Sequence, residues 1–298
     1  MAPKTWIVKD LLKVTADYLK AKGIESPRLN AEILLAHQLG KDRVQLYLHF
    51  DQPLHEKEIN EYRGLIRRRV NREPVGYIIE LQEFWSLPFR VGPGVLIPRA
   101  ESELLVEQVL RFHRDGGFTG GGLPAILDLG TGCGALAVCL AKELADATVW
   151  ATDISEEALA YARLNVSQHG VAERVIFRQG DLWEPLKGHD LTFDVILSNP
   201  PYVAAEDYAA LPPEVRDHEP RLALDGGERG TDYIRRIIEG TTDYLNPGGR
   251  LLMEMDPRQT PEVVAMLEAS DHYEEVRRIQ DYSRRYRVVL ATKRKHVA

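Results

Sequence analysis

The first 72 residues place apolar side chains at helical spacing. Residues 5–22 repeat them at intervals of three and four, with Thr5 as the capping residue and Gly23 as the stop, and so predict an amphipathic helix. The same period predicts three further helices, which cover residues 26–40, 43–49 and 55–71. Four short helices with one apolar face each are typical of a small helical bundle.

The period changes after residue 76. Residues 77–98 are rich in β-branched and aromatic side chains and are interrupted by proline and glycine, which predicts a β-hairpin. From about residue 100, short apolar runs alternate with helical segments; these runs are "AILDLG", "TVWATDIS", "RVIFRQGD", "FDVILSNP" and "RLLMEM", with a closing pair near 274–279 and 286–292. This alternation predicts an α/β fold with a mostly parallel sheet that helices cover on both faces.

The composition is that of a globular protein with a sizeable core, since 44% of the 298 residues are hydrophobic and 28% are charged. We predict a helical domain over residues 1–75, a hairpin linker over 76–98 and an α/β domain over 99–298. No apolar run approaches the ~20 residues of a membrane span, and the N-terminal stretch lacks a signal-peptide core. Cys133 and Cys139 are the two cysteines, and we expect reduced thiols in a cytoplasmic protein without a metal site.

The charge is divided unevenly along the chain. Residues 1–75 contain 14 Lys and Arg against 10 Asp and Glu, a net +4, which leaves −11 for the remainder because the total is −7. The acidic remainder disfavours a nucleic-acid substrate. The basic run Arg67–Arg69 with Arg72 could contact an acidic partner, but it is interpreted as a solvated helix face.

A glycine-rich turn joins the first predicted strand to a helix in "ILDLGTGCGALAV", residues 126–138. Gly130, Gly132 and Gly134 let the backbone turn sharply and approach a ligand, which binds beyond the carboxyl ends of such strands. Because Gly130 and Gly132 with Ala135 also match the dinucleotide pattern, this turn alone does not separate NAD from S-adenosylmethionine. Cys133 is interpreted as a small filler rather than a nucleophile.

Acidic residues near the strand ends favour S-adenosylmethionine. Asp153 ends the second strand and can accept from the ribose hydroxyls of either cofactor, whereas Asp128 lies within reach of an ammonium group. Asp181 can accept from an adenine amino group, and Trp183 can provide an apolar wall for the ring, unless it is a core residue. The same predicted cofactor site includes three neighbours of these residues: Thr131, Ile154 and Leu182.

The sequence "SNPPY" follows the fourth strand and predicts the acceptor site. Proline fixes φ and lacks an N–H, so Pro200 and Pro201 hold the backbone carbonyls in one direction. The side-chain oxygen of Asn199 and the Pro200 carbonyl can then accept from one –NH2 group, while Tyr202 lies flat against the planar group that carries it. This arrangement suits a planar, weakly nucleophilic nitrogen, either a carboxamide or an aromatic amine.

Together these segments resemble the release factor glutamine N5-methyltransferases of the HemK/PrmC type. The most specific segments are "REPVGYI", "EFWSLPFRVGPGVLIPRAESELLV" and "HEPRLALDGGERGTDYIRRII", which cover residues 72–78, 83–106 and 218–238. The resemblance extends over nearly the whole chain. It implies a Rossmann-like class I methyltransferase domain with a seven-stranded, mostly parallel sheet, preceded by a helical bundle and a β-hairpin.

The resemblance also implies an activity. The family transfers a methyl group from S-adenosylmethionine to the glutamine of the Gly-Gly-Gln motif in bacterial class I release factors, leaving S-adenosylhomocysteine. Matching motifs assign Gly130–Gly134, Asp153 and Trp183 to the cofactor and Asn199–Tyr202 to the glutamine amide, while the bundle and the hairpin would help to hold the release factor. The chain departs from the usual family pattern at Glu80, Ala100, Ser102, Met255 and Asp256.

Three alternatives stay open at this stage. A glutamine methyltransferase acting on a ribosomal protein would use the same active site with a different recognition surface. An adenine-N6 methyltransferase shares Asn-Pro-Pro-Tyr, but the acidic α/β part has no evident basic target-binding region. A non-catalytic cofactor-binding protein would not need an intact Asn-Pro-Pro-Tyr.

Overall fold

A computed structural model describes residues 5–118 and 123–295 of the chain. The chain divides into two compact units, of which the first combines residues 1–81 with 212–218 and the second combines 82–211 with 219–298. Within the described residues, no helix has both the length and the apolar character needed to cross a membrane.

The first unit confirms the predicted helical bundle. Its apolar faces meet in one core, where Tyr62 is 1% exposed and donates from its hydroxyl to the Ala31 carbonyl oxygen at 3.0 Å. The helices of this part of the chain are α1 (Val8–Ala21), α2 (Pro27–Gln38), α3 (Arg43–Leu48), α4 (Glu56–Val70) and α5 (Val75–Ile79).

The start of the first helix differs from the prediction. α1 begins at Val8, and Thr5 does not cap it. The preceding backbone is instead paired with the segment around Pro53: Val8 N donates to the Gln52 carbonyl oxygen at 3.1 Å. Because that pairing requires extended backbone, the helix cannot start until it ends.

The start of the hairpin also differs from the prediction. Tyr77 and Ile78 lie in α5 and are buried, and Ile78 belongs to the helical core. Tertiary packing therefore overrides the strand preference of this β-branched run. The hairpin itself is shorter and consists of β1 (Leu81–Phe84) and β2 (Leu87–Arg90), whose connecting residues Trp85 and Ser86 have φ of +54° and +55°.

The second unit confirms the predicted fold, a seven-stranded, mostly parallel sheet. Its strands are β3 (Ala125–Leu129), β4 (Thr148–Asp153), β5 (Val175–Gln179), β6 (Phe193–Ser198), β7 (Leu245–Glu254), β8 (Tyr273–Gln280) and β9 (Tyr286–Lys293). They are ordered β5-β4-β3-β6-β7-β9-β8, and β9 is antiparallel to both of its neighbours. The central strands are buried on both faces, as Ile126, Leu127 and Ile196 show with 0% exposure.

The remaining α-helices lie before or between these strands along the chain. They are α6 (Glu103–Arg114), α7 (Ala135–Glu143), α8 (Glu156–Gln168), α9 (Pro213–Arg216), α10 (Asp232–Tyr244) and α11 (Thr260–Glu268). Short 3₁₀ turns lie at Ala100–Ser102, Ala172–Arg174, Glu184–Leu186, Tyr208–Ala210 and Arg221–Ala223.

The order of the strands locates the ligand-binding edge of the sheet. The chain runs from β3 to β4 and β5 on one side, and then returns to place β6 on the other side of β3. Ligands bind at the carboxyl ends of the strands next to such a reversal. The ends of β3, β4 and β6 carry the glycine loop, Asp153 and Asn199.

The segment that contains α9 completes the first unit. Glu214 accepts from the guanidinium of Arg69 at 2.6 Å, and Arg69 is 5% exposed. Arg69 also donates to the side-chain oxygen of Asn30 at 2.7 Å. A buried cation inside the bundle therefore has its carboxylate partner on a segment about 145 positions later in the sequence.

Candidate active site

The glycine loop follows directly on β3 and leads into α7. The first two amides of the loop Gly130–Gly134 both donate to the Thr152 carbonyl oxygen at 2.9 Å, which fastens the loop to β4. Gly134 has a φ of +81°, and a Cβ at this position would lie 3.0 Å from the Cβ of Ala162. Glycine thus permits both the turn and the close approach of α8.

Asp153 is the last residue of β4 and lines the cleft at the sheet edge. Its Oδ2 accepts from the Gly132 amide at 2.8 Å, and its Oδ1 accepts from the Ser155 amide at 2.9 Å. Burial raises the pKa of this carboxyl, while the backbone hydrogen bonds oppose the rise. Each carboxylate oxygen retains a lone pair for a further donor, such as one hydroxyl of a diol. Ile154, which is 46% exposed, adds an apolar surface beside it.

Asp128 lies behind the glycine loop rather than on the surface of the cleft. It is 0% exposed, and its Oδ2 accepts from the hydroxyl of Thr131 at 2.7 Å. Its Oδ1 has no hydrogen-bond partner within the described residues, and burial raises its pKa to about 7. Thr131 lines the cleft, so Asp128 lies directly behind a cleft residue, and its own contact with the cofactor stays a prediction.

Cys133 contributes mainly through its backbone. Its side chain is 3% exposed, and burial raises the pKa of the thiol to about 12. Its carbonyl oxygen accepts from the side-chain NH2 of Asn165 at 2.8 Å, and the same NH2 group donates to the Arg90 carbonyl oxygen at 3.0 Å. One buried amide on α8 therefore connects the glycine loop to the hairpin.

The loop after β5 brings two of its three predicted residues to the cleft. Asp181 and Leu182 line the cleft, and Asp181 pairs with the guanidinium of Arg236. Trp183 turns the other way: its ring stacks on Tyr244 at 5.1 Å between centroids, and its N–H donates to the Arg236 carbonyl oxygen at 3.0 Å. One face of the ring and its polar tip therefore have partners on α10, and Leu182 rather than Trp183 lines the cleft.

Asn199 and the prolines follow β6. Asn199 and Pro201 line the cleft, whereas Pro200 is buried and Tyr202 is part-buried. The NH2 end of the Asn199 side chain donates to the hydroxyl oxygen of Ser102 at 3.0 Å. The oxygen end of that amide is therefore the end left for a donor in the cleft.

Tyr202 is held from two sides. Its carbonyl oxygen accepts from the side-chain NH2 of Gln259 at 2.8 Å, and its hydroxyl donates to Oε1 of Glu254 at 3.4 Å. Burial raises the pKa of the Tyr202 phenol, and the nearby Glu254 carboxyl adds to that rise. The structure thus places the phenol against β7 rather than on the wall of the cleft.

The cleft has an empty volume of about 1100 Å³, its open mouth included, a size suited to a nucleoside-containing ligand. Two of the segments that line it consist of residues 94–96 with 98 and of residue 220 with 222–223. Arg99 pairs with Glu219 at 2.5 Å, and the other carboxylate oxygen of Glu219 accepts from the Ile97 amide at 3.2 Å. This ion pair joins the two segments of the chain that line the cleft here.

Two residues of this region were not predicted from the sequence. Ser102 precedes α6 and is 4% exposed, and Glu254 ends β7 and is 1% exposed. Glu254 resembles Asp153 in being an acidic residue at the carboxyl end of a buried strand, and this signal could have identified it. In the part of the chain that the structure describes, no group of three or more His, Cys, Asp or Glu side chains is arranged to hold a metal ion.

Two family models match the chain: the PrmC N-terminal domain over residues 10–79 and the methyltransferase small domain over residues 102–213. The release factor glutamine methyltransferase of Geobacter sulfurreducens is 46% identical over 264 residues, which cover 89% of each chain. That of Rhodopirellula baltica is 41% identical over 288 residues, or 97% of each chain. That of Chlorobaculum tepidum is 39% identical over 94% of this chain and 95% of the relative.

Solved structures agree with the fold. The N-terminal domain of human METTL16 in complex with SAH aligns with a TM-score of 0.50 at 16% identity, covering 68% of this chain and 74% of that chain. At this level of identity the likeness establishes the fold alone.

Proposed function

We propose, because the chain belongs to the family of release factor glutamine methyltransferases, that it methylates a release-factor glutamine. The acceptor would be the side-chain nitrogen N5 of the glutamine in the Gly-Gly-Gln motif of bacterial class I release factors. The methyl donor would be S-adenosylmethionine, and the products would be N5-methylglutamine, S-adenosylhomocysteine and the proton that the nitrogen releases to solvent after the transfer. The observation that carries this proposal is that Asn199 lines the same cleft as the glycine loop and Asp153.

The residues of the cleft fit this cofactor. Asp153 offers lone pairs on both carboxylate oxygens to a ribose diol, and the open glycine loop allows a ligand to approach its backbone. Leu182 and Ile154 supply apolar surface for an adenine ring, beside the carboxylate of Asp181. When bound, S-adenosylmethionine supplies a methyl group made electrophilic by its sulfonium sulfur.

The acceptor side of the cleft suits an amide nitrogen. The lone pair of a glutamine amide is delocalised, so its nitrogen must be oriented rather than simply deprotonated. The side-chain oxygen of Asn199 can accept a hydrogen bond from one N–H of the glutamine amide. The rigid backbone at Pro200 and Pro201 can direct the Pro200 carbonyl toward the second N–H. These acceptors stabilise the positive charge that develops on nitrogen as the methyl group is transferred, and they fix the direction of attack.

The helical unit is proposed to recognise the release factor. Helix α3 exposes Val44 and Leu48, at 68% and 76%, and α1 exposes Val14 and Tyr18, at 49% and 46%. Each pair is four residues apart and therefore lies on one helix face. Exposed apolar faces of this kind are typical of surfaces that bind another protein. This assignment, together with action in the cytoplasm where release factors work, is part of the proposal.

One labelling experiment tests the proposed function. The protein is incubated with methyl-labelled S-adenosylmethionine and, separately, with a class I release factor, ribosomal proteins and DNA, and the label is located by mass spectrometry. We expect label on the glutamine of the Gly-Gly-Gln motif and none on a release factor in which that glutamine is alanine. Label on a ribosomal protein or on DNA instead, with the release factor unlabelled, would contradict the proposal.

A further inference from the structure

Asn199 can accept a hydrogen bond from a substrate only if the oxygen end of its amide faces the cleft. The two ends of an amide have nearly the same shape but opposite hydrogen-bonding character. A neighbouring group must therefore select the orientation. In the structure that neighbour is Ser102, whose hydroxyl oxygen lies 3.0 Å from the Asn199 nitrogen.

Ser102 in turn faces Glu254. In the parallel pair β6 and β7, Ser198 is in register with Met253. The residues that follow them, Asn199 and Glu254, therefore lie at the same edge of the sheet. Burial raises the pKa of Glu254 to about 7, and the Ser102 hydroxyl opposes this rise. Oε2 of Glu254 has no hydrogen-bond partner within the described residues, so it remains available to a donor.

The charge of Glu254 sets the direction of this chain of polar groups. Among the other groups that face Glu254, Arg287 favours its ionised form, Glu101 opposes it, and Tyr202 donates to it. Above a pH of about 7, Glu254 is ionised and only accepts hydrogen bonds, which favours the orientation of Ser102 in which its hydroxyl hydrogen points toward Glu254. A lone pair of Ser102 then faces Asn199 and can be satisfied only by an NH2 group.

We propose that Ser102 and Glu254 are positioning residues, which hold the Asn199 amide with its oxygen toward the methyl-accepting nitrogen. This inference rests on the proposed function, because it concerns the same acceptor site. It assigns a role to two residues that lie about 150 positions apart in the sequence, one before α6 and the other at the end of β7. Burial makes the selection effective. An Asn199 amide turned the other way would set its oxygen against the Ser102 oxygen, and neither of these two acceptors would have a donor.

The first test compares Ser102→Ala with Ser102→Thr. Without the hydroxyl, the orientation of Asn199 is no longer selected, and we expect kcat on the release factor to fall about tenfold or more, while the KM for release factor and the affinity for S-adenosylmethionine change less than about twofold. Ser102→Thr keeps the hydroxyl and should retain most of the activity. Thr241→Val serves as the matched control, because it removes a buried hydroxyl that donates to the Ile237 carbonyl oxygen outside the cleft.

The second test uses Glu254→Gln. A glutamine can donate as well as accept, so the direction of the Ser102 hydroxyl is no longer fixed, and kcat should fall about tenfold. Because both residues act through one chain, the double variant Ser102→Ala with Glu254→Gln should be no slower than the slower single variant, within about twofold. Melting temperatures are measured for every variant, and if Ser102→Ala does not fold, Glu254→Gln carries the test.

The outcomes separate the two proposals. A wild-type protein that leaves the release factor unmethylated overturns the proposed function and the inference with it. A wild-type protein that methylates it, with folded Ser102→Ala and Glu254→Gln variants at the wild-type kcat, overturns only the inference. Losses that multiply in the double variant also overturn it, because independent structural damage behaves in that way.

Discussion

The two halves of the cleft are built from different kinds of groups. At the ends of β3 and β4, the glycine loop is held by its own amides on the Thr152 carbonyl oxygen and on Asp153. At the ends of β6 and β7, three side chains from distant segments meet, namely Ser102, Asn199 and Glu254. The first half depends on backbone geometry and the second on the polarity of side chains, so substitutions should affect them differently.

The largest effect is expected in the side-chain half. Asn199→Ala removes the proposed acceptor for the substrate NH2 group, and kcat should fall about 100-fold or more, as for loss of one group that stabilises developing charge. Affinity for S-adenosylmethionine, measured by calorimetry, should stay close to wild type. The control is Asn246→Ala, because Asn246 donates to Asp194 and does not line the cleft. Unchanged single-turnover kinetics would remove Asn199 from the acceptor site.

In the backbone half, the strongest single change is Asp153→Ala. The cofactor loses an acceptor for its ribose and the Gly132 and Ser155 amides lose theirs, so S-adenosylmethionine affinity should fall about 10-fold to 100-fold, or about 1.4–2.7 kcal/mol. Calorimetry measures the affinity, and Asp190→Ala, an exposed carboxylate outside the cleft, controls for charge. An affinity equal to that of wild type would exclude Asp153 from the cofactor site.

Gly134→Ala tests whether the backbone half depends on shape. The new Cβ would lie 3.0 Å from the Ala162 Cβ at a φ of +81°, and we expect the free energy of unfolding to fall by about 2 kcal/mol. Gly188→Ala is matched in φ, at +80°, but has no atom within 4 Å, so it should cost only about 1 kcal/mol. Equal losses in chemical denaturation would show that packing against α8 contributes nothing.

The smallest effect is expected outside both halves, at Glu80. This residue has a φ of +57° after α5, so Glu80→Gly should raise the free energy of unfolding by about 0.5–1 kcal/mol through relief of left-handed strain. Glu80→Ala keeps the strain and removes the carboxylate, and it should give no such gain. Denaturation curves for the three proteins distinguish strain from the charge interaction with Arg68.

Features that are local in the sequence could be predicted, whereas contacts between distant segments could not. Apolar runs alternating with helical segments predicted the sheet, and the glycines and Asp153 predicted the backbone half, because each feature is local. Ser102 and Glu254 could not be joined to Asn199 by any local pattern, since the register of β6 with β7 sets Glu254 beside Asn199 and the start of α6 brings Ser102 to it. Trp183 was predicted to face the cleft but packs against α10. Its position in the loop does not reveal which way the side chain turns. Residues 77–79 were predicted as strand from their β-branched and aromatic side chains, whereas packing in the bundle holds them in α5.

The segment Pro212–His218 limits how this protein can be dissected. The polypeptide passes between the two units three times, after residues 81, 211 and 218. A fragment ending near residue 81 would retain the guanidinium of Arg69 in its interior but lose the Glu214 carboxylate that neutralises it. Such an orphaned interior cation costs about 3–5 kcal/mol, a large share of the stability of so small a bundle. A fragment of residues 1–81 is therefore expected to be less stable than the same residues in the full chain.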